Sequence, residues 1–190
     1  NLGELSPRAA EVLATVAIIA AEDTRRAGKL LGDRPRELRP RLISLNAHNY
    51  AGRLPELMAA LEAGTSVALV SDAGTPAVSD PGGAVVAEAW RRGLRVVPVA
   101  GPSAVAAAVS VAGFPAERYL FAGYVPKKPG RRARYLDWID TVGETTVLFE
   151  TPHRIAATLL DLAARWPERP ALLARELTKL HEELIRDTLA

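Results

Sequence analysis

The sequence predicts an α/β fold with a mostly parallel sheet in its first part. Short apolar runs of strand length occur at 17–20, 42–45 and 67–70, and each leads through a polar loop into a helical pattern. Regular alternation of strand and helix is typical of a parallel sheet with helices on both faces. Ligands of such sheets bind outside the carboxyl ends of the strands, so these polar loops are the candidate site.

The helices of this first part have recognisable start and stop signals. Ser6 precedes Pro7 and Asp80 precedes Pro81, so each pair supplies an N-cap and a proline at the first helical position. Gly64 follows one helical pattern as a stop signal. These signals predict helices over 7–16, 53–63, 81–92 and 103–112, between strands over 17–20, 42–45, 67–70 and 95–99.

A second domain is predicted after the turn-forming residues Gly113-Phe114-Pro115. The domains are therefore expected to be 1–112 and 113–190, the second with a mixed sheet and helices. We expect the second domain to be truncated at Ala190 and the chain, which opens on Asn1 rather than Met, to begin inside a longer protein. The elements predicted in the second domain are strands over 119–124, 145–149 and 171–174, helices ending near 139 and 165, and an extended segment over 181–185.

The connection from Ser71 to Gly83 is the strongest candidate for a ligand site. Its strand, 67–70, is apolar enough to be buried on both faces, and the connection carries two Asp residues and several hydroxyls. A short turn would suffice to join a strand to a helix, so the extra polar residues indicate function. An ordinary βα turn is the alternative, because Gly and Pro are routine in turns.

A charged cluster follows the first strand, at 21–26. Carboxylates and an arginine at this position could orient a substrate hydroxyl or phosphate, which makes Glu22 and Arg25 candidates. The alternative is an ordinary helix start, with Asp23 or Thr24 as the N-cap and the arginines in solvent.

Two further loops lie at predicted strand ends, 46–49 and 100–104. His48 in the first could accept a proton near neutral pH, or could simply be exposed. Ser103 in the second could cap a helix whose free N–H groups also hold a polar group of a ligand. Both interpretations of each loop remain open from the residues alone.

Composition excludes several classes of protein. The 190 residues are 48% hydrophobic and 24% charged and include no Cys, which excludes disulfides and thiolate zinc sites and favours a cytoplasmic location. We expect no membrane span and no signal peptide. Neither GxGxxG nor GxxxxGK[ST] occurs, which counts against dinucleotide and P-loop enzymes, and no metal-ligand spacing is recognisable.

Basic residues form two clusters that suit a nucleic-acid backbone. The net charge is only +2, but the sequence pI is about 9.2. Solvated surface segments are the alternative explanation of such clusters. The clusters are Arg34, Arg36, Arg39 and Arg41, and Lys127, Lys128, Arg131, Arg132 and Arg134.

Several motifs occur together in an order that resembles a known family. They are NLG at 1–3, AEDTR at 21–25, SDAGTP at 71–76, SDPG at 79–82, PSA at 102–104, FAGY at 121–124, FETPHR at 149–154 and ARELTK at 174–179. The chain resembles the bacterial ribose 2′-O-methyltransferases of small-subunit ribosomal RNA, within the tetrapyrrole (corrin/porphyrin) methylase superfamily. The motifs span almost the whole chain.

The resemblance implies a two-domain tetrapyrrole-methylase-like fold, a homodimer, and S-adenosylmethionine bound between the domains. The implied reaction is 2′-O-methylation of a cytidine ribose in the decoding region of small-subunit ribosomal RNA, free or in the assembled subunit. The family has a further strand before 1–3, and a histidine where this chain has Asn46. The implied cofactor residues are Asp72, Ala73, Gly74, Thr75, Pro76, Val78, Ser79, Asp80, Ser103, Ala104, Tyr124, Leu173 and Ala174.

For the chemistry, we expect Glu22 or His48 to accept the proton of the ribose hydroxyl and Arg25 to hold a neighbouring phosphate. Glu150 and Glu176 are fallback bases, unless they pair with Arg154 or Arg175 across the domain cleft. Two rival functions remain open. One is methylation of a tetrapyrrole carbon, and the other is a non-enzymatic RNA-binding module whose basic clusters do the work.

Overall fold

A computed structural model describes residues 2–32 and 35–190 of the chain. Asn1 of the opening motif and Arg34 of the first basic cluster lie outside the described residues, as does the side chain of Arg36. The chain divides into two compact units, Asn1–Ser103 and Ala104–Ala190.

A parallel sheet forms the centre of the first unit. Its strands are β1 (Ile18–Ala21), β2 (Arg41–Ser44) and β3 (Val67–Val70). The order is β2-β1-β3, and Ile18 lies opposite Arg41 on one side and Val67 on the other. The predicted parallel sheet is confirmed, and the carboxyl ends of these strands lie at one edge.

Helices cover both faces of this sheet, as the alternation of strand and helix predicted. On one face Ile18 and Ala20 pack in a cluster with buried residues of α3 (Tyr50–Glu62) and α4 (Gly83–Arg91). On the other face Ile19 and Ala21 pack with buried residues of α1 (Pro7–Thr15) and α2 (Thr24–Leu30). Successive side chains of a strand point to opposite faces, so one four-residue strand serves both clusters.

Three predicted features of the first unit are corrected. Strand β3 contacts both clusters but is only half-buried, because it is an edge strand among the described residues. Helix α4 begins at Gly83 rather than 81, since the Asp80 carboxylate accepts the N–H of Gly82 at 2.8 Å and holds a turn there. Residues 95–99 form no strand, because Pro98 has no N–H and no described strand pairs with this segment.

The second unit contains one parallel and one antiparallel strand pair among the described residues. Strands β4 (Tyr119–Tyr124) and β5 (Thr145–Phe149) are parallel, and β6 (Pro170–Arg175) and β7 (Glu183–Thr188) are antiparallel. The expected mixture of directions is present, in two separate sheets. The helices are α5 (Ala104–Ala112), α6 (Pro129–Val142) and α7 (Ile155–Arg165).

Helix α5, which we assigned to the end of the first domain, lies in the second compact unit. The Arg186 side chain of β7 donates from Nε to the Ala112 carbonyl at 2.9 Å. This contact ties the last residue of α5 to the antiparallel pair. The boundary at 112 stays a prediction about domains, and the compact units divide nine residues earlier because of such packing.

A membrane-spanning helix is not found among the described residues, where no helix combines the required length and apolarity.

Candidate cofactor-binding and active site

The connection after β3 has a strained backbone. Ala77 and Ser79 have positive φ angles of 69° and 59°, and Gly74 has one of 72°. The left-handed region costs a non-glycine residue about 1–3 kcal/mol and persists only where surrounding structure imposes it. At the start of the connection, the Ser71 hydroxyl donates to the carbonyls of Ala73 and Gly74, at 3.3 and 3.1 Å. Strain of this kind concentrates at functional sites, which supports a functional role for this loop.

Asp72 joins the end of β3 to the start of α2. Its Oδ1 accepts the backbone N–H of Asp23 at 3.1 Å, and its Oδ2 lies 3.3 Å from the Arg26 guanidinium. The candidate loops after β1 and β3 are therefore in direct contact, as their position at one edge of the sheet predicted. Arg26 did not stand out in the sequence, although its position in the AEDTRR run could have suggested it.

Asp23 is the N-cap of α2, so the capping interpretation of the charged cluster holds for this residue. Its carboxylate accepts the Arg25 backbone N–H at 2.8 Å and two N–H groups of the Arg25 guanidinium, at 3.1 and 2.8 Å. These bonds lower the pKa of Asp23 to about 2. The Arg25 side chain is 89% exposed, which leaves its other N–H groups accessible from solvent.

Glu22 lies among other carboxylates at the same strand ends. Partial burial of its carboxyl group, followed by the negative charges of Asp72 and Asp80, raises its pKa above the usual 4.5. A carboxylate with a raised pKa is a better proton acceptor than an ordinary glutamate. Glu22 thus has the electrostatic setting of a general base, which the sequence could not show because Asp72 and Asp80 are distant in the chain.

The loop after β2 is held by two asparagines. Asn49 Oδ1 accepts the N–H of Asn46 at 2.8 Å, and Asn46 Oδ1 accepts the N–H groups of His48 and Asn49, at 3.0 and 3.2 Å. His48 itself is exposed. Asn46, whose role was uncertain from the sequence, therefore shapes the loop that presents His48.

An open cleft of about 560 Å³ adjoins this loop and the connection after β3. It is lined by Ala47, Tyr50, Ser79, Asp80, Pro81 and Ala84. The cleft brings the His48 loop and the predicted cofactor residues Ser79 and Asp80 to one place. Tyr50 was missed by the sequence analysis, although its position two residues after His48 was a usable signal.

The loop at 100–103 contacts the connection after β3 as well. The Thr75 hydroxyl donates to the Pro102 carbonyl at 3.1 Å, and the Ser6 hydroxyl donates to the Ala100 carbonyl at 3.1 Å. Ser103 ends the first unit and Ala104 begins α5. These contacts join the two loops that the motifs indicated for the cofactor.

Metal binding finds no support in the described residues, where no group of three His, Asp or Glu side chains could hold an ion.

Comparison with known proteins bears directly on this site. The family model of tetrapyrrole (corrin/porphyrin) methylases matches residues 1–190. The chain belongs to the tetrapyrrole methylase family. Two relatives named ribosomal RNA small subunit methyltransferase I, from Synechocystis and Xylella fastidiosa, are 45% and 47% identical to it over its whole length. The resemblance drawn from the motifs is thereby confirmed. The chain spans 67% and 69% of the length of these two curated relatives.

Solved structures of other proteins share the fold. Diphthine synthase superposes with a TM-score of 0.75 at 17% identity and is covered over 78% of its chain. Uroporphyrin-III C-methyl transferase from Thermus thermophilus, complexed with S-adenyl homocysteine, superposes with a TM-score of 0.59 at 17% identity, over 98% of this chain and 83% of that one. At these identities the similarity concerns the fold, and it confirms the predicted class.

In this methylase chain, three of the predicted cofactor residues of the second unit lie on two different sheets, whereas Ala104 begins α5. Tyr124 ends β4 after a bulge between Phe121 and Gly123, where Gly123 has a φ of 71°. The exposed Tyr124 ring packs edge-on against Phe149 with centroids 5.5 Å apart. Leu173 and Ala174 lie in β6. The bulge re-aims the residue that follows it, which is a device common near functional sites.

The two fallback bases of the second unit are engaged in local ion pairs. Glu150 is 5% exposed and lies 3.1 Å from Arg154 within the same unit. Glu176 pairs with Lys179 at 3.2 Å, and Arg175 pairs with Glu183. The structural alternative therefore holds for Glu150, although its partner is four residues along the chain in the same unit rather than across a domain cleft.

Proposed function

We propose that this chain carries out S-adenosylmethionine-dependent 2′-O-methylation of a cytidine ribose in the decoding region of small-subunit ribosomal RNA. The observation that carries the proposal is the strained connection after β3, whose Asp72 contacts the loop of Glu22. The names of the relatives at 45% and 47% identity support the class of substrate. The ribose and cytidine specificity follows from the motif resemblance.

The cofactor residues in the proposal are those that the resemblance implied. S-adenosylmethionine would supply an activated methyl group on a sulfonium. Its amino group and ribose hydroxyls need acceptors, which the Asp72 and Asp80 carboxylates and the Thr75 and Ser79 hydroxyls can provide. Its carboxylate needs N–H donors, and the glycine-bearing backbone of this loop offers them. In the second unit the proposal includes Tyr124 and the β6 residues at 173–174.

In the proposed reaction, the ribose 2′-oxygen attacks the methyl carbon in line with the carbon–sulfur bond. That bond breaks with its electron pair on sulfur, and the hydroxyl proton passes to a base of the protein. We assign the base to Glu22, because partial burial of its carboxyl group and then the negative charges of Asp72 and Asp80 raise its pKa. His48 is the second candidate, since its loop adjoins the cleft.

Arg25 has the proposed role of holding a phosphate next to the target ribose. The Asp23 carboxylate accepts hydrogen bonds from one edge of the Arg25 guanidinium, which orients the guanidinium without burying it. A fixed guanidinium binds a phosphate with less loss of side-chain freedom than a mobile one.

A homodimer and a cytoplasmic location are also part of the proposal. The resemblance implies the homodimer, and the expected site of the RNA implies the location.

The first experiment is calorimetric titration of the chain with S-adenosylmethionine, for the parent and for Asp72→Ala. The matched control is Asp187→Ala, which removes an exposed carboxylate of β7 in the second unit. We expect binding by the parent and the control and at least tenfold weaker binding by Asp72→Ala. Equal affinity in all three proteins would contradict the assignment of the cofactor to this loop.

The second experiment tests the reaction itself. The chain is incubated with small-subunit ribosomal RNA and methyl-labelled cofactor, and the product is hydrolysed with alkali. Because alkaline cleavage requires a free 2′-hydroxyl, ribose methylation leaves the label in an uncleaved dinucleotide. Label released in mononucleotides would indicate base methylation and overturn the ribose assignment, and no transfer to RNA would favour a rival function.

A further inference from the structure

The start of helix α6 carries exposed positive charge that has no partner within the described part of the chain. Lys127 and Lys128 precede the helix, and Arg131 and Arg134 follow in its first two turns. We call these four residues the outer basic surface. Each is exposed, and none forms a described ion pair. We propose that the outer basic surface binds the phosphate backbone of the RNA substrate, an inference that rests on the proposed function.

The electrostatics of the helix itself support an anionic partner. A helix N-terminus carries partial positive charge, so lysines and arginines there are unfavourable in the free protein. Helix α6 has no acidic residue in its first turn, and its N-cap Lys128 makes no side-chain capping bond. Cations in this position become favourable when an anion lies against them, and a nucleic-acid backbone supplies a row of such anions.

The acidic residues in the carboxyl-terminal half of helix α6 differ from the cations at its start. These acidic residues have partners within the unit, since Asp137 pairs with Arg165 at 2.5 Å and Asp140 accepts the Trp166 indole N–H at 2.8 Å. The fold thus provides partners for the negative charges of α6 but leaves most of its positive charges to solvent. This asymmetry indicates that the basic end faces an external partner.

Arg132 differs from its neighbours because it turns inward. Its Nε donates to the Pro126 carbonyl at 3.2 Å, and its guanidinium pairs with Asp161 of α7. Sequence analysis grouped it with the other four cations. In the structure it fixes the segment that carries Lys127 and Lys128.

A second arginine also fixes the segment that carries Lys127 and Lys128. Arg154 donates to the Val125 carbonyl at 2.8 Å, and Glu150 holds that guanidinium at 3.1 Å. Val125 is 2% exposed, so the base of the segment is anchored in the core of the unit. The backbone that leads into the outer basic surface is therefore held in place, which lowers the cost of ordering it on binding.

The test is the salt dependence of binding to small-subunit ribosomal RNA. The test variant is Arg131→Ala with Arg134→Ala, and the matched control is Arg8→Ala with Arg95→Ala, which removes two exposed arginines of the first unit. Loss of a phosphate contact lowers the slope of log affinity against log salt by about 1, so we expect a decrease of about 2 for the test variant and no change for the control. The affinity of the parent should then fall about 16-fold more than that of the test variant between 50 and 200 mM salt.

A third variant, Arg131→Lys with Arg134→Lys, keeps the charge and should restore the parent slope. Cofactor titration and methyl transfer are measured on the same proteins, which separates this inference from the proposed function. Equal slopes for test and control variants, with methyl transfer intact in the parent, would overturn the outer basic surface alone. A reduced slope without methyl transfer by any protein would support the surface and overturn the enzyme assignment.

Discussion

The ion pair between Glu150 and Arg154 offers a sharp test of how the second unit is held together. The Glu150 carboxylate is 5% exposed and accepts three donors. They are the Thr151 N–H at 2.7 Å, the Thr158 hydroxyl at 2.8 Å and the Arg154 guanidinium at 3.1 Å. The perturbation is Arg154→Met, which keeps much of the side-chain volume and removes the charge and its hydrogen bonds.

The expected cost follows from what remains around the carboxylate. Removing one partner of a buried pair costs about 3–5 kcal/mol, because a charge is left uncompensated. In the variant, Glu150 keeps two donors. The Arg154 side chain is 20% exposed, so water can reach this position and solvate part of the Glu150 charge. The carbonyl of Val125 also loses its donor. We therefore expect Arg154→Met to lower the free energy of unfolding of this unit by about 2–3 kcal/mol.

The assay is urea unfolding followed by tryptophan fluorescence. Trp90→Phe in the first unit leaves Trp138 and Trp166 as reporters of the second unit, which avoids treating a two-unit chain as one transition. With an m-value of about 1–2 kcal/mol/M, the midpoint of unfolding should fall by about 1–3 M.

The matched control is Arg118→Met, which breaks a pair with Glu144 in which the arginine side chain is 82% exposed. Such surface pairs contribute about 0–1 kcal/mol. The double variant of Arg154→Met with Glu150→Gln should cost about 1–2 kcal/mol less than the sum of the single changes, since no buried charge is then left unpaired. Equal costs for the two Arg→Met changes would refute the reasoning.

Four further predictions concern the candidate site. Glu22→Gln should reduce turnover at least tenfold with cofactor affinity nearly unchanged. Asp80→Asn should move the acid limb of the pH–rate profile to lower pH, because it removes a negative charge that raises the pKa of Glu22. Asp23→Asn should lower the melting temperature at neutral pH, and this difference should disappear as the pH falls through the pKa of about 2 of Asp23. Ala77→Gly should relieve a φ of 69° and raise the free energy of unfolding by about 0.5–1 kcal/mol, whereas Ala73→Gly should not.

These site predictions have clear contrary outcomes. A parallel loss of turnover and cofactor affinity in Glu22→Gln would indicate a structural role. An Asp23→Asn effect that persists at the lowest pH would mean that the carboxylate charge is not what stabilises the helix start. Equal stability changes for the two Ala→Gly variants, measured by urea unfolding, would show that the loop is not strained at Ala77.

Local sequence determined the elements of this protein and the location of the candidate loops. The apolar runs of β1, β2 and β3 and the Ser6-Pro7 helix start are decided by residues that are neighbours in the chain. Because parallel strands bring their carboxyl ends to one edge, the same pattern also predicted that the loops after β1 and β3 would meet, as Asp72 and Asp23 do.

The tertiary structure determined which polar groups are paired within the protein and which remain available for binding or catalysis. The inward turn of Arg132 depends on Asp161, and the donor of the Val125 carbonyl is Arg154, which lies 29 residues further along the chain. The segment at 95–99 has strand-forming residues but no described neighbour to receive its hydrogen bonds. Burial, pKa and pairing arise from residues distant in the chain, so the amino-acid pattern alone could nominate Glu22 but could not show the carboxylates that raise its pKa.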